Sequence, residues 1–156
     1  MVAGVVLGDL PAAIVQKLRA DPDVTALTQD RISIAFPEGQ RRQWPMPTYA
    51  ILVRSVGGLP PSMSDERRFG RLDLHFYGSG ASPNVRRRTA RLLWRTTEPV
   101  LCPPPSMGLP SSFLAAGLII YKIYAQTSEP ISIPEPNTDW DRCLMSYFAE
   151  YARAPA

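Results

Sequence analysis

RFGRLDLHFYGSGASPNVRRRTARLLW, residues 68 to 94, changes its period halfway, and that change decides the fold class. Over 68 to 78 the residues alternate. Leu72, Leu74 and Phe76 point one way; Arg71, Asp73, His75 and Tyr77 point the other. A strand with one apolar and one polar face belongs to an antiparallel sheet covered on one side. The small residues GSGAS at 78 to 82 then make a turn, Ser82 caps a helix and Pro83 takes its first position. At about 100° per residue, Val85, Thr89, Leu92, Leu93 and Thr96 share one arc of that helix, which predicts its core-facing side. Arg87, Arg91 and Arg95 form a stripe roughly opposite, with Arg88 beside it and Trp94 on the same outer side.

Upstream, DLPAAIVQKLRAD begins at Asp9, a plausible N-cap, with Pro11 tolerated in the first turn. Leu10, Ile14 and Leu18 fall on one stripe at i, i+4, i+8, the pattern of a core-facing helix. DPDVTALTQD predicts a second, short helix capped by Asp21, with Val24 and Leu27 as its buried pair. RISIAF (31 to 36) reads as a short strand, and the β-branched and aromatic TYAILVRSV (48 to 56) as a central one. Downstream, AGLIIYKIYAQ (116 to 126) is another strand. DWDRCLMSYFAEYAR (139 to 153) fits two periods: Trp140, Leu144 and Phe148 suit a helix, while Cys143, Met145, Tyr147 and Tyr151 alternate. Its aromatic content favours a strand. The order helix, helix, three strands, helix, two strands predicts an α+β fold over residues 1 to 156 as a single domain. Its helices would pack on one face of a mostly antiparallel, four- to five-stranded sheet.

Composition bounds the function. A chain of 156 residues, 45% hydrophobic and 20% charged, suits one soluble domain with one core. It has no apolar run of 18 residues, and MVAGVVLGDL has no basic segment ahead of its apolar stretch, so neither a membrane span nor a signal peptide is expected. Cys102 and Cys143 stand in no metal or redox spacing, as expected of a reduced compartment. A net charge of +3 does not by itself argue for nucleic acid. Lys17 and Lys122 are the only lysines, so the basic residues are almost all arginine. Arginine suits interfacial ion pairs, although a GC-rich coding sequence produces the same bias. Of the 17 prolines, 13 gather in four loop-like blocks, at 36 to 47, 58 to 66, 99 to 110 and 128 to 139. Loops of that length are usually functional or disordered.

No catalytic constellation assembles. His75 has no Cys or second His at ligand spacing, so no metal site is expected. GSGAS lacks the Lys-Ser/Thr of a phosphate-binding loop and reads as a turn. Glu135, Asp139 and Asp141 read as a solvated or inter-subunit face. A non-enzyme without cofactor is expected. The arginine helix admits three readings: a protein–protein face, a solvated face or a nucleic-acid contact. Arg and Trp together are what interface hot spots are enriched in, which makes Arg87, Arg91, Trp94 and Arg95 candidate interface residues. The loop QRRQW adds Arg41, Arg42 and Trp44 with the same chemistry.

The order of these pieces resembles the tail terminators, or tail completion proteins, of long-tailed bacteriophages and related phage-like particles. The resemblance is carried by the opening helix with LRADPDVTALTQDRISIAFP, by PTYAILV, and by RRFGRLDLHFYGSGASPNVRRRTARLLW, and it covers most of residues 9 to 126. It implies an α+β subunit that forms a hexameric ring with its own copies at the head-proximal end of the tail tube. Such a ring stops tube polymerisation and docks the neck, or head-completion, proteins; DNA passes through its lumen without specific binding. The protein would then be a minor tail protein of the virion, placed at the head–tail junction and assembled in the host cytoplasm. A ring needs two different complementary patches on each subunit. Charge sign suggests Arg87, Arg91 and Arg95 for one, and either Asp65 with Glu66 or Glu135 with Asp139 for the other. Two alternatives stay open: a neck or head-completion connector, and a small DNA-binding, packaging-associated protein.

Overall fold

A computed structural model of the chain describes residues 9–34, 49–59, 67–108, 110–133 and 140–154. In chain order the elements are α1 (Leu10–Arg19), α2 (Pro22–Thr28), β1 (Ile32–Ser33), β2 (Tyr49–Leu59), β3 (Arg68–Ser79) and α3 (Pro83–Leu101). A 3-10 turn, Pro105–Met107, leads on to β4 (Phe113–Ala115), β5 (Leu118–Ala125), β6 (Ile131–Ile133) and β7 (Trp140–Arg153). The strands form one seven-stranded sheet in the order β1-β2-β3-β7-β5-β4, with β6 pairing β7 beside β5. Every pairing is antiparallel except the short β1–β2 ladder, where Ile32 meets Ile51.

This is a mixed α/β architecture with more sheet than the four to five strands expected. The additional strands, β4 and β6, are three residues each, too short for alternation to register. β6 lies inside the proline block at 128 to 139, and α3 runs three residues into the block at 99 to 110. β2 extends to Leu59, into the block at 58 to 66. The block at 36 to 47 lies outside the described residues. The ambiguous last segment is a strand of 14 residues. It pairs with β3 from Arg68↔Tyr151 to Ser79↔Trp140, so β3 and β7 form the spine of the sheet.

Local chemistry starts and stops the elements as expected. Asp21 Oδ1 accepts from the amides of Asp23 and Val24, each at 3.0 Å, and Ser82 Oγ accepts from Val85 N at 3.3 Å. Asp9 occupies the N-cap of α1 in extended conformation without a side-chain cap bond. Near its C-terminal end β2 is bulged between Ser55 and Gly58, where Gly57 takes a φ of 91°.

The three helices pack on the sheet face that carries Ile51, Val53, Leu72, Leu74, Phe76, Cys143, Met145 and Tyr147. α1 touches both ends of the strand order. Arg19 Nη2 donates to Ile32 O in β1 at 2.7 Å; Gln16 Oε1 accepts from Ala116 N, just after β4, at 2.8 Å; Lys17 Nζ sits 4.9 Å over the Phe113 ring of β4. One helix reaching both edges means that the sheet is curled, and α1 shields edge strands that would otherwise template association. The opposite face carries a second small cluster of Ala50, Leu52, Tyr77 and Trp140. Tyr77 and Trp140 meet edge to face at 5.1 Å. Tyr77, expected among the polar residues of its strand, is therefore buried on that face.

Candidate assembly surfaces

α3 is seated by small residues. Gly78 lies against its backbone so closely that a Cβ there would run into Ala90 N and approach Thr89 C at 2.8 Å and Arg86 O at 2.9 Å. The Cys143 thiol lies 3.6 Å from the Ala90 carbonyl. Further along, Tyr147 Oη donates to Glu98 Oε1 at 3.1 Å, which fastens the second half of the helix to β7.

This seating rotates the helix away from the expected orientation. The buried arc is Ala90, Leu93, Trp94, Thr97 and Leu101. Of the arc predicted to face the core, Leu93 is fully buried, but Val85 and Leu92 are 44% and 47% exposed. Trp94, expected on the outer side, is only 8% exposed and belongs to the core. It is therefore withdrawn as an interface residue. The difference is roughly one residue step, about 100°. Counting apolar residues cannot see it, because the position closest to the sheet is held by Ala90, whose small size permits the approach.

The arginines do face outward. Arg87, Arg88 and Arg95 are exposed and Arg91 is half-buried. Arg91 Nη1 lies 3.9 Å from Glu129 Oε2, a loose pair, while Arg86 Nε donates to Gly80 O at 2.9 Å and helps close the turn. Arg87 borders a small cleft shared with Ser132, Ile133, Asp141 and Arg142, where α3 overlooks β6 and β7. The candidates Arg41, Arg42 and Trp44 lie outside the described residues, as do Asp65, Glu66, Glu135 and Asp139.

A second surface is the sheet face away from the helices. It is a polar network rather than an open charge field. Arg67 Nη1 pairs with Glu150 Oε1 at 2.8 Å, and Arg71 Nε lies 3.8 Å from Asp73 Oδ1. Ser146 Oγ donates to Asp73 Oδ1 at 2.6 Å, and Arg142 Nη1 lies 3.1 Å from His75 Nδ1. Burial, then the charges of Arg142 and Arg54, push the His75 pKa down to about 4 against the opposing pull of Asp73. The ring is thus neutral near pH 7 and accepts from Arg142. Among the described residues no group of three or more His, Cys, Asp or Glu could hold a metal ion. Burial pushes both thiols, Cys102 and Cys143, up to about 12, so neither is a nucleophile near neutral pH. GSGAS forms the expected turn, with Gly80 closely packed on Val85.

No protein-family model matches this chain, and no curated protein matches it. Among solved structures it is similar to a chain of the virion of a native gene transfer agent particle. The TM-score is 0.62 at 16% identity, over 93% of this chain and 96% of that one. At that identity the likeness is one of fold.

Proposed function

We propose that this chain is a structural subunit of a phage-like virion, acting as a tail terminator. Copies of it would form a ring, hexameric in this reading, on the head-proximal end of the tail tube. The ring would end tube growth and offer the joining surface to the head-completion proteins, with DNA passing through its lumen and no cofactor or catalysis involved. The observation that carries the reading is the likeness of fold, end to end, to a chain of a gene transfer agent virion. The element order read from residues 9 to 126 points the same way. The exposed arginines and apolar residues of α3 supply a surface for assembly. Among the described residues no helix is long and apolar enough to cross a membrane.

The test is the mass and shape of the purified protein over a concentration series, by light scattering after size exclusion and by negative-stain imaging. Sixfold rings are expected. A monomer at every concentration moves the weight to the DNA-binding alternative, which the exposed Arg87, Arg88 and Arg95 favour. That alternative requires duplex binding by the isolated subunit with affinity falling steeply as salt rises. The terminator reading expects weak binding at most, since tight contacts would hold back DNA in transit.

A further inference from the structure

The exposed side of α3 is not simply a charged face. Val85, Thr89, Leu92 and Thr96 repeat at spacings of four, three and four, the rhythm of a helix-packing seam. Thr89 Oγ1 bonds back to Val85 O at 2.7 Å and Thr96 Oγ1 to Leu92 O at 2.9 Å. Their hydroxyls are satisfied within the helix, which leaves their methyl groups to extend the apolar strip of Val85 and Leu92. Arg88 and Arg95, seven residues or about 10 Å apart along the axis, flank this strip. Neither has an ion-pair partner among the described residues. Pairing this seam with itself across a two-fold axis would bring the arginines of the two copies together, so the occupant must be acidic.

The acids among the described residues narrow the choice. Asp73 and Glu150 are engaged with Arg71, Ser146 and Arg67, Glu98 with Tyr147, Glu129 with Arg91, and Asp21 with the start of α2. Asp141 lies in the cleft beside Arg142. Asp9 is half-buried at the start of α1. Asp23 and Asp30 are the exposed acids that remain, and neither has an ion-pair partner among the described residues. Asp23 lies in the first turn of α2 and Asp30 just beyond its end, where Gln29 and Asp30 turn the chain out of the helix at positive φ. The exposed Ala26 lies between them, a small residue that permits close approach of a second helix.

We infer that the α3 seam of one copy docks on α2 of the next, with Leu92 against Ala26 and Arg88 and Arg95 facing Asp23 and Asp30. The seam and the acidic helix are different patches, so the contact is head-to-tail, as a ring requires. This rests on the ring reading and names its contact.

The test swaps charges. R88E/R95E and D23R/D30R are each expected to raise the dissociation constant for self-association more than about 100-fold, because like charges then face each other. Mixing the two variants is expected to restore assembly, since alternating copies again present opposite charges at every contact and a six-membered ring closes with three of each. Thermal melts of each variant alone establish that it is folded. Wild-type assembly that both variants reproduce, or that their mixture fails to restore, overturns the pairing and leaves the ring reading standing. A wild-type chain still monomeric at about 1 mM, where even a contact worth roughly 4 kcal/mol would show, overturns this contact and weakens the ring reading with it.

Discussion

Two residues carry constraints that reach well beyond their own positions. Gly78 is where the sheet admits α3: an added Cβ would meet helix backbone, which cannot swing aside. Gly78→Ala is expected to destabilise the protein by about 3 kcal/mol, read from the urea midpoint. Gly70 makes the control. A Cβ there meets the end of the Leu10 side chain at 2.6 Å and Tyr151 Cε1 at 3.2 Å, groups that can move. Gly70→Ala should therefore cost clearly less, and equal losses would refute the argument from rigid backbone. His75 carries the second constraint. Its folded pKa, about 4, lies below the ordinary histidine value of 6.5, so the unfolded chain binds the extra proton between those values. The stability tied to the neutral ring is complete above pH 6.5 and is lost as pH falls towards 4. His75→Gln keeps an acceptor for Arg142 but cannot titrate. The melting temperature of the wild type is expected to fall more steeply than that of H75Q between about pH 7 and pH 5. Carboxylates common to both cancel in the difference, and parallel curves would sink the assignment.

At the scale of the element, α3 shows how far amphipathicity can be trusted. The sequence pattern places its apolar side correctly in type but misses its rotation, because burial follows Ala90 and its contact with Gly78 and Cys143. Neighbouring leucines then have opposite fates. Leu93→Ala removes a fully buried side chain and is expected to cost 2–5 kcal/mol; Leu92→Ala, at a position 47% exposed, should change the stability of the isolated subunit by less than about 0.5 kcal/mol. Chemical denaturation of dilute protein measures both. A costly Leu92→Ala in monomer would return that residue to the core. α1 and α2 were legible for the opposite reason: their stripes and the Asp21 cap are local, and Leu10, Ile14, Leu18 and Val24 are buried as expected, while Leu27, expected beside Val24, is only partly buried and Thr28 takes the buried place. The longest strand, β7, was resolved from a helix only by its aromatic content, and its pairing along the whole of β3 explains why that sequence can hold two periods at once. Buried Cys143, Met145 and Tyr147 alternate as a strand must, while partly covered Leu144 and Phe148 occupy the other face.

For the whole molecule, α1 is the piece that joins the ends of the sheet. It is held to β1 by Arg19 and to the β4 end by Gln16 and Lys17, so the edges of a seven-stranded sheet are closed over by one helix. Deleting residues 1 to 20 leaves β1 and β4 without that cover. The truncated chain is expected to lose cooperative unfolding and to aggregate, as followed by circular dichroism and light scattering; a soluble, cooperatively melting truncation would show that the edges protect themselves.

The sequence by itself determined the period of each long element other than β7, the caps of α2 and α3, the covered face of β3, and the outward placement of Arg87, Arg88 and Arg95. All of these follow from spacing along one segment. Tertiary structure alone decided the rest. The rotation of α3 depends on which small residues of other elements it can approach. The three-residue strands β4 and β6 exist because β5 and β7 offer them partners. The burial of Tyr77 and Trp94, and the exposure of Val85 and Leu92, follow from packing between segments far apart in the chain, to which a reading of any one segment is blind.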